Sequence, residues 1–325
     1  METVRCNRGR LGALVISAVL MIAQAASGQV AQPGGHGDPG TIDVAGLYTE
    51  ACAPCHGRAG DGNGRGVRLL GAPRPRDFTT GVFEFRSTAA YELPTDEDLY
   101  RTIVAGIPGT WMPGWEALLQ PVEVWALVSY LKGFSPVWTE TEPSPALHVP
   151  DPPAESADLV AEGQMVYAVL ECWRCHGPSG RGDGPSAGEL KDDWDRSIRP
   201  YDFTTGNYKR GSTASDVYRT FVTGLSGTPM PALEPHIVAF PGGRDAAVAD
   251  LRSSFGEGTA DQVADYLAQQ PDAERLAELS DEELGQLVQV RLWALVFFVR
   301  SLERSPGALE RLFGENPDLT GRTDR

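Results

Sequence analysis

Cysteine is scarce in this chain and placed in a pattern. There are five in 325 residues: Cys6, Cys52, Cys55, Cys172 and Cys175. Four of them fall in two Cys-x-x-Cys pairs, a spacing that does not belong to a disulfide-stapled fold. Positive charge is short as well, with 28 Lys and Arg against 44 Asp and Glu and a net charge of −16. Residues 1–28 hold Arg5, Arg8 and Arg10 against Glu2, so the rest is more acidic still. Nucleic acid is excluded as a partner, because phosphate contacts need a positive surface. The acidic surface either suits a basic docking face on another protein or simply keeps an exported chain soluble.

Long apolar runs are missing too, apart from residues 11–26 ("LGALVISAVLMIAQAA"), which follow the three arginines. That arrangement reads as a signal peptide over 1–28, with cleavage among the small residues at its end, and places the protein in the periplasm. The run is short for a membrane span, so an N-terminal anchor through residues 11–26 is the alternative. Cys6 precedes the run, which leaves no lipid-attachment cysteine after it. The tract at 292–299, eight residues between Arg291 and Arg300, is read as a buried core helix.

What the sequence does contain is a duplication. "CAPCHGRAGDG", "RPRDFTTG", "LYRTIVAGIPGTWMP" and "VWALVSYL" recur in the same order as "CWRCHGPSGRGDG", "RPYDFTTG", "VYRTFVTGLSGTPMP" and "LWALVFFV". A Pro- and acid-rich stretch at 135–156 separates the copies and reads as an extended linker. Helices are expected into each cysteine pair, after the cap signatures Thr95/Asp98, Thr213/Asp216 and Ser280/Glu283, and at the end of each copy. The second copy carries a long insertion at about 240–279, which reads as short acidic helices on the outside.

Each cysteine pair is followed at once by histidine, and Cys-x-x-Cys-His is the attachment signature of c-type haem. Two cysteines on one helical turn reach two neighbouring porphyrin edges, and His56 or His176 then stands beneath the iron. A thioredoxin-like thiol pair and half of a zinc site are the competing readings; neither needs the adjacent histidine. Outside residues 1–28 the methionines are Met112, Met165 and Met230. Met112 and Met230 hold equivalent places in Gly/Pro-rich loops and are the candidate distal ligands. Met165 lies on the helix that carries the cysteines and is assigned to packing. His236, six residues after Met230, is an alternative ligand in the second copy; His36 and His148 are read as solvated. Arg74 and Arg199 are candidates for the haem propionates, or for ion pairs with Asp77 and Asp202. Tyr100, Arg101, Tyr218 and Arg219 are assigned to packing. Trp111 and Trp115 are expected to wall the first pocket.

On these motifs the chain resembles the class I cytochromes c, as a two-domain dihaem member. The resemblance implies an all-α fold, with a cytochrome c domain at 41–134, another at 157–304 containing the insertion, and a tail at 305–325. It also implies two covalently attached haem c groups, with first and last helices crossing near each haem. The expected function is single-electron transfer between a redox donor and an acceptor, as a soluble carrier or as the cytochrome subunit of a larger complex, membrane-bound or not. The alternative is a catalytic dihaem protein, peroxidase-like or thiosulfate-dehydrogenase-like, with one open iron. No cysteine is spare to ligate an iron and both copies offer a methionine, which speaks against it.

Overall fold

Two helical cores, one per copy, are the main product of this pattern. The computed structural model describes residues 42–70, 73–239 and 244–304. The expected leader, its anchor alternative, Cys6, His36 and the tail lie outside them. Among the described residues every regular element is helical, and the sole β-type contact is a bridge between Lys191 and Ser197.

In the first copy, α1 (Val44–Ala51) starts at Asp43, whose carboxylate accepts from the Gly46 N–H at 2.9 Å. A break at Cys52 leads into the single turn α2 (Ala53–His56), and α3 (Val67–Leu70) follows. Thr95 and Asp98 form the expected capping box of α4 (Asp96–Ala105). Next come α5 (Pro121–Lys132) and the short α6 (Val137–Glu140). α1 and α4 pack on α5 around Tyr48, Leu99, Ile103, Val124 and Leu127.

The second copy repeats this with α7 (Ala157–Val169), α8 (Trp173–His176), α9 (Ala214–Thr223) and the 24-residue α14 (Asp281–Arg304). Ser280 and Glu283 cap α14 as expected, and residues 292–299 are all buried. α7 crosses α14 at backbone contact, because Gly163 has no side chain: a Cβ there would lie 2.0 Å from the Ala294 carbonyl oxygen.

The insertion differs from its expected place on the outside. Its helices, α11 (Arg244–Phe255), α12 (Glu257–Ala268) and α13 (Ala273–Glu278), follow α10 (Glu234–Ala239) and are short and partly acidic. Yet Ala247, Leu251, Val263 and Leu267 are buried in the second core, and α11 and α12 both pack on α7. Their apolar stripe is sparse in sequence but falls on one face, which is what burial requires. Arg291, which the sequence places at the end of an apolar tract, is itself buried. It donates to the carbonyls of Ile237 and Val238 and to Gln270, which ties the insertion to α14.

The two copies share an interface rich in charge. Arg86 is fully buried; its Nε donates to Ala89 O at 2.8 Å and its Nη2 to Thr223 O at 2.5 Å. Thr223 ends α9, where carbonyls lack helical partners and a cation is favourable. Arg210 bonds the Arg86 carbonyl and pairs with Asp98 at 3.2 Å, while Arg101 pairs with Asp216 at 3.2 Å. Burial pulls the Arg210 guanidinium down to about 9, against the pull of Asp98 and with repulsion from Arg219, Arg101 and Arg86. So Arg101 and Arg219, expected to pack, instead pair across and beside this junction, both with Asp216. Residues 141–156 have no regular structure but do not hang free. Leu147 N–H donates to Ser87 O at 2.7 Å, and Leu147 and Val149 pack on the second core.

Candidate haem sites

The backbone around each Cys-x-x-Cys-His folds the same way twice. The single helical turn puts His56 N–H on the Cys52 carbonyl and His176 N–H on the Cys172 carbonyl, both at 2.8 Å. The chain then turns back, so that Gly62 N–H reaches His56 O and Gly182 N–H reaches His176 O, both at 2.9 Å. The Asp-Phe-Thr-Thr-Gly segment docks on this loop through Phe78 N–H to Gly60 O (2.7 Å) and Phe203 N–H to Gly180 O (2.8 Å).

That docking orients the histidines. His56 Nδ1 lies 3.1 Å from Arg76 O, and His176 Nδ1 lies 3.0 Å from Tyr201 O. A carbonyl only accepts, so each Nδ1 carries the proton and each Nε2 keeps its lone pair free for a metal. Each ring also stacks on a phenylalanine, Phe78 or Phe203, with centroids 4.5 Å apart. Burial lowers both imidazoles from their ordinary value, which keeps them neutral as a ligand must be. From the preceding helix, Tyr48 donates its hydroxyl to Gly57 O (2.8 Å) and Tyr167 donates to Gly177 O (2.7 Å), pinning the residue after each histidine.

The surroundings of the thiols lend no support to the competing readings. All four are free, burial pushes Cys52 up to about 11 and Cys172 up to about 12, and Cys175 is raised by the same cause. A thioredoxin-like pair needs the reverse shift, toward thiolate. A structural zinc needs four converging ligands, and among the described residues no group of three or more His, Cys, Asp or Glu comes together. Two thiols on one turn beside an oriented imidazole fit haem c.

The methionine loops match as well. Ile107 N–H to Met112 O (3.0 Å) and Leu225 N–H to Met230 O (3.1 Å) close them. Inside, Thr110 N–H to Ile107 O and Thr228 N–H to Leu225 O, both 3.1 Å, form equal turns. Thr110 and Thr228 hydroxyls accept from the Met112 and Met230 N–H groups at 3.1 and 3.2 Å, which fixes the backbone from which each thioether projects. Both methionines are half-buried. Met165 packs on the second core as expected, whereas His236 is exposed on α10 and His148 is exposed too.

Arg74 and Arg199 are exposed, and the ion pairs expected as their alternative are replaced: Asp77 and Asp202 cap the Thr79 and Thr204 N–H groups at 2.9 Å. Tyr100 stacks on Trp125 and Tyr218 on Trp293, which is packing. Trp115 packs on the first core, and the protein atoms alone leave Trp111 63% exposed beside the Met112 backbone. Sequence reasoning missed the work of Tyr48, Tyr167, Phe78, Phe203 and the Arg76 and Tyr201 carbonyls. The duplicated "RP-x-DFTTG" marked the place, but a backbone acceptor leaves no side-chain signature.

Comparisons with known proteins agree with this geometry. The family model described as cytochrome c oxidase, cbb3-type, subunit III matches residues 41–131, and that described as cytochrome c matches residues 160–289. A chain from the reducing HAO-like protein complex of Kuenenia stuttgartiensis is 36% identical, with a TM-score of 0.61 over 80% of this chain and 94% of that one. No curated protein matches the chain. Among the described residues no helix is long and apolar enough to cross a membrane. Two cytochrome c domains in tandem carry two covalently bound haem c groups and make haem-based electron transfer the chemistry of the molecule. The chain belongs to the cytochrome c family, as a dihaem member with one class I domain in each half of a duplicated sequence.

Proposed function

We propose that this is an exported electron carrier that passes single electrons in series between its two haem sites, working beside or within a larger redox complex. The observation that carries the serial reading is the buried junction, in which the first domain docks directly against the loop that bears Met230. Haem c supplies a one-electron Fe(III)/Fe(II) couple with covalent attachment.

The chain's own residues do the rest. Cys52, Cys55, Cys172 and Cys175 would form the thioethers; His56 and His176 would be the proximal ligands, held by the Arg76 and Tyr201 carbonyls. Met112 and Met230 would fill the far positions, and a soft thioether favours the reduced state. A histidine and a methionine held for each haem would leave no open place for a substrate, so a carrier is favoured over a peroxidase-like or thiosulfate-dehydrogenase-like enzyme. Arg74 and Arg199, exposed and outside the expected aspartate pairs, remain available for propionates. Membership of the solved relative in a redox complex supports a similar setting here, with an acidic surface (net −16) offered to basic faces on donor and acceptor.

The test is the far-red Met–Fe(III) charge-transfer absorbance of the oxidised holoprotein, quantified per haem. Two equivalents are expected, falling to one in Met112→Ala or Met230→Ala. One equivalent in the unaltered protein, with peroxide turnover, would replace the carrier by a catalyst.

A further inference from the structure

The second copy is five residues longer between its histidine and the Asp-Phe-Thr-Thr-Gly segment: His176 to Asp202 spans 26 positions, where His56 to Asp77 spans 21. Those residues build a tight hairpin. Asp192 N–H bonds Arg196 O and Ile198 N–H bonds Leu190 O. The Asp192 carboxylate accepts from the Trp194 and Arg196 N–H groups, and Asp195 takes a left-handed φ of 61°. At the tip stands Trp194, which meets Arg76 of the first copy and the Met230 loop of the second.

On one side is Arg76, whose guanidinium carbon lies 4.8 Å from the centre of the Trp194 ring and whose carbonyl holds His56 Nδ1. The side chain is fixed from behind by Glu84 at 2.8 Å. On the other side is the Met230 loop. The neighbouring Asp193 N–H bonds Gly227 O at 3.0 Å, and the ring lies so close to Gly227 that a Cβ there would be 2.8 Å from it and 3.1 Å from Arg76 Nη1. The equivalent turn of the first copy is open, with nothing within 4 Å of a Cβ at Gly109. Arg76 has no cationic counterpart either, since its place in the second copy is taken by Tyr201. A device present once in a duplicated molecule, at the junction, serves the junction.

We propose that the Arg76–Trp194 contact is the joint that sets the gap between the two haem sites, with Trp194 a positioning residue for electron exchange between the His56 side of the first and the Met230 side of the second. It rests on the serial reading above. One electron crosses, oxidising one iron and reducing the other; no bond is made or broken and no proton moves. The ring and guanidinium occupy the space between the two walls, and two backbone anchors, the Arg76 carbonyl on His56 Nδ1 and the Gly227 carbonyl on the Asp193 N–H, hold those walls in register.

The experiment is rapid photoreduction of the holoprotein at substoichiometric electron dose, following re-equilibration between the haems, together with the two potentials and the charge-transfer absorbance. Trp194→Leu is expected to slow intramolecular exchange by on the order of tenfold or more, as loss of register by about 1 Å does elsewhere. The Met230 absorbance stays intact and bimolecular reduction is unchanged; Trp194→Phe, which keeps a ring, restores most of the rate. Arg76→Lys keeps the charge and the carbonyl but loses the flat stack, and slows exchange independently should the leucine variant fold poorly. Exchange at the unaltered rate in both Trp194→Leu and Arg76→Lys overturns the assignment while leaving serial transfer standing. Absence of intramolecular exchange in the unaltered protein overturns serial transfer itself.

Discussion

Replacing Gly163 by alanine asks whether the α7–α14 crossing is as tight as it looks. The new methyl would lie 2.0 Å from Ala294 O, 2.4 Å from Ala294 C and 2.7 Å from Phe298 Cβ. Two of these are backbone atoms, so no rotamer change relieves the clash and the helices must part. Overpacking of this kind costs about 1–3 kcal/mol, and backbone obstruction puts it at the upper end. Alanine returns about 1 kcal/mol through helix propensity and the unfolded chain. The net expectation is a loss of about 2 kcal/mol, or a fall in Tm of about 4–8 °C for a chain of this size. Gly285, in the same helix α14 with nothing within 4 Å of its Cβ position, is the control. There the same change lacks the clash and stabilises by about 0.4–1 kcal/mol. The assay is thermal unfolding of the holoproteins by far-UV circular dichroism, with the Soret region recorded alongside. Because α7 carries Tyr167 and runs into Cys172, Gly163→Ala also perturbs the second haem's Soret signal. A Gly163→Ala Tm at or above that of Gly285→Ala would refute the close crossing.

Other consequences follow from the same geometry. Tyr48→Phe and Tyr167→Phe each remove one of two donors from a buried carbonyl, leaving Gly57 O with the Gly60 N–H and Gly177 O with the Gly180 N–H, and cost about 0.5–1.5 kcal/mol in denaturant unfolding; unchanged midpoints would deny these hydroxyls their role. Arg86→Met strips the guanidinium from Thr223 O at the junction, while Ala89 O keeps the Glu92 N–H; it costs about 2 kcal/mol and increases proteolysis between residues 141 and 156, and a resistant variant would mean the junction does not depend on it. The insertion covers the second attachment turn, with Phe255 edge-on to Trp173 at 4.7 Å and Asp250 paired to Arg174 at 2.7 Å, where the first copy has the exposed Pro54. The drier site disfavours the more charged ferric state, so spectroelectrochemistry should place the second haem at the higher potential, with Phe255→Ala lowering it. Equal potentials, or a Phe255→Ala shift confined to the first haem, would contradict that order.

Much of the fold was legible because its determinants are local or repeated. The capping pairs Thr95/Asp98 and Ser280/Glu283 are read three residues apart, and the structure uses them so. The cysteine–histidine turns and methionine loops were legible because each appears twice in the same order, which separates a ligand candidate from ordinary core methionine such as Met165. What escaped depends on contacts distant in sequence. The Arg76 carbonyl carries no residue preference of its own. Buried Arg86 and Arg291 look like surface arginines until their acceptors, Thr223 O and Ile237 O, are brought to them by folding. The insertion helices were read as external because acidic residues dominate their composition; one apolar residue per turn, Leu251 or Val263, is enough to bury a face.

The duplication also explains where the two copies were free to diverge. Whatever holds the histidine is nearly identical in both: the Tyr-to-Gly hydrogen bonds are 2.8 and 2.7 Å, the Nδ1-to-carbonyl contacts 3.1 and 3.0 Å, and the Phe stacks both 4.5 Å. These contacts set ligand orientation, and an error there is felt at the iron. The two added segments of the second copy touch the other copy or cover a site. The five-residue hairpin carries Trp194 to Arg76 and Gly227, and the insertion brings Phe255 and Asp250 onto Trp173 and Arg174. The second site is thereby enclosed on its attachment turn by the insertion and at its methionine loop by the first domain. The equivalent methionine loop of the first copy has no such cover, with nothing within 4 Å of a Cβ at Gly109. Such one-sided covering fits the serial transfer proposed above, in which the first site meets partners and the second is reached through it.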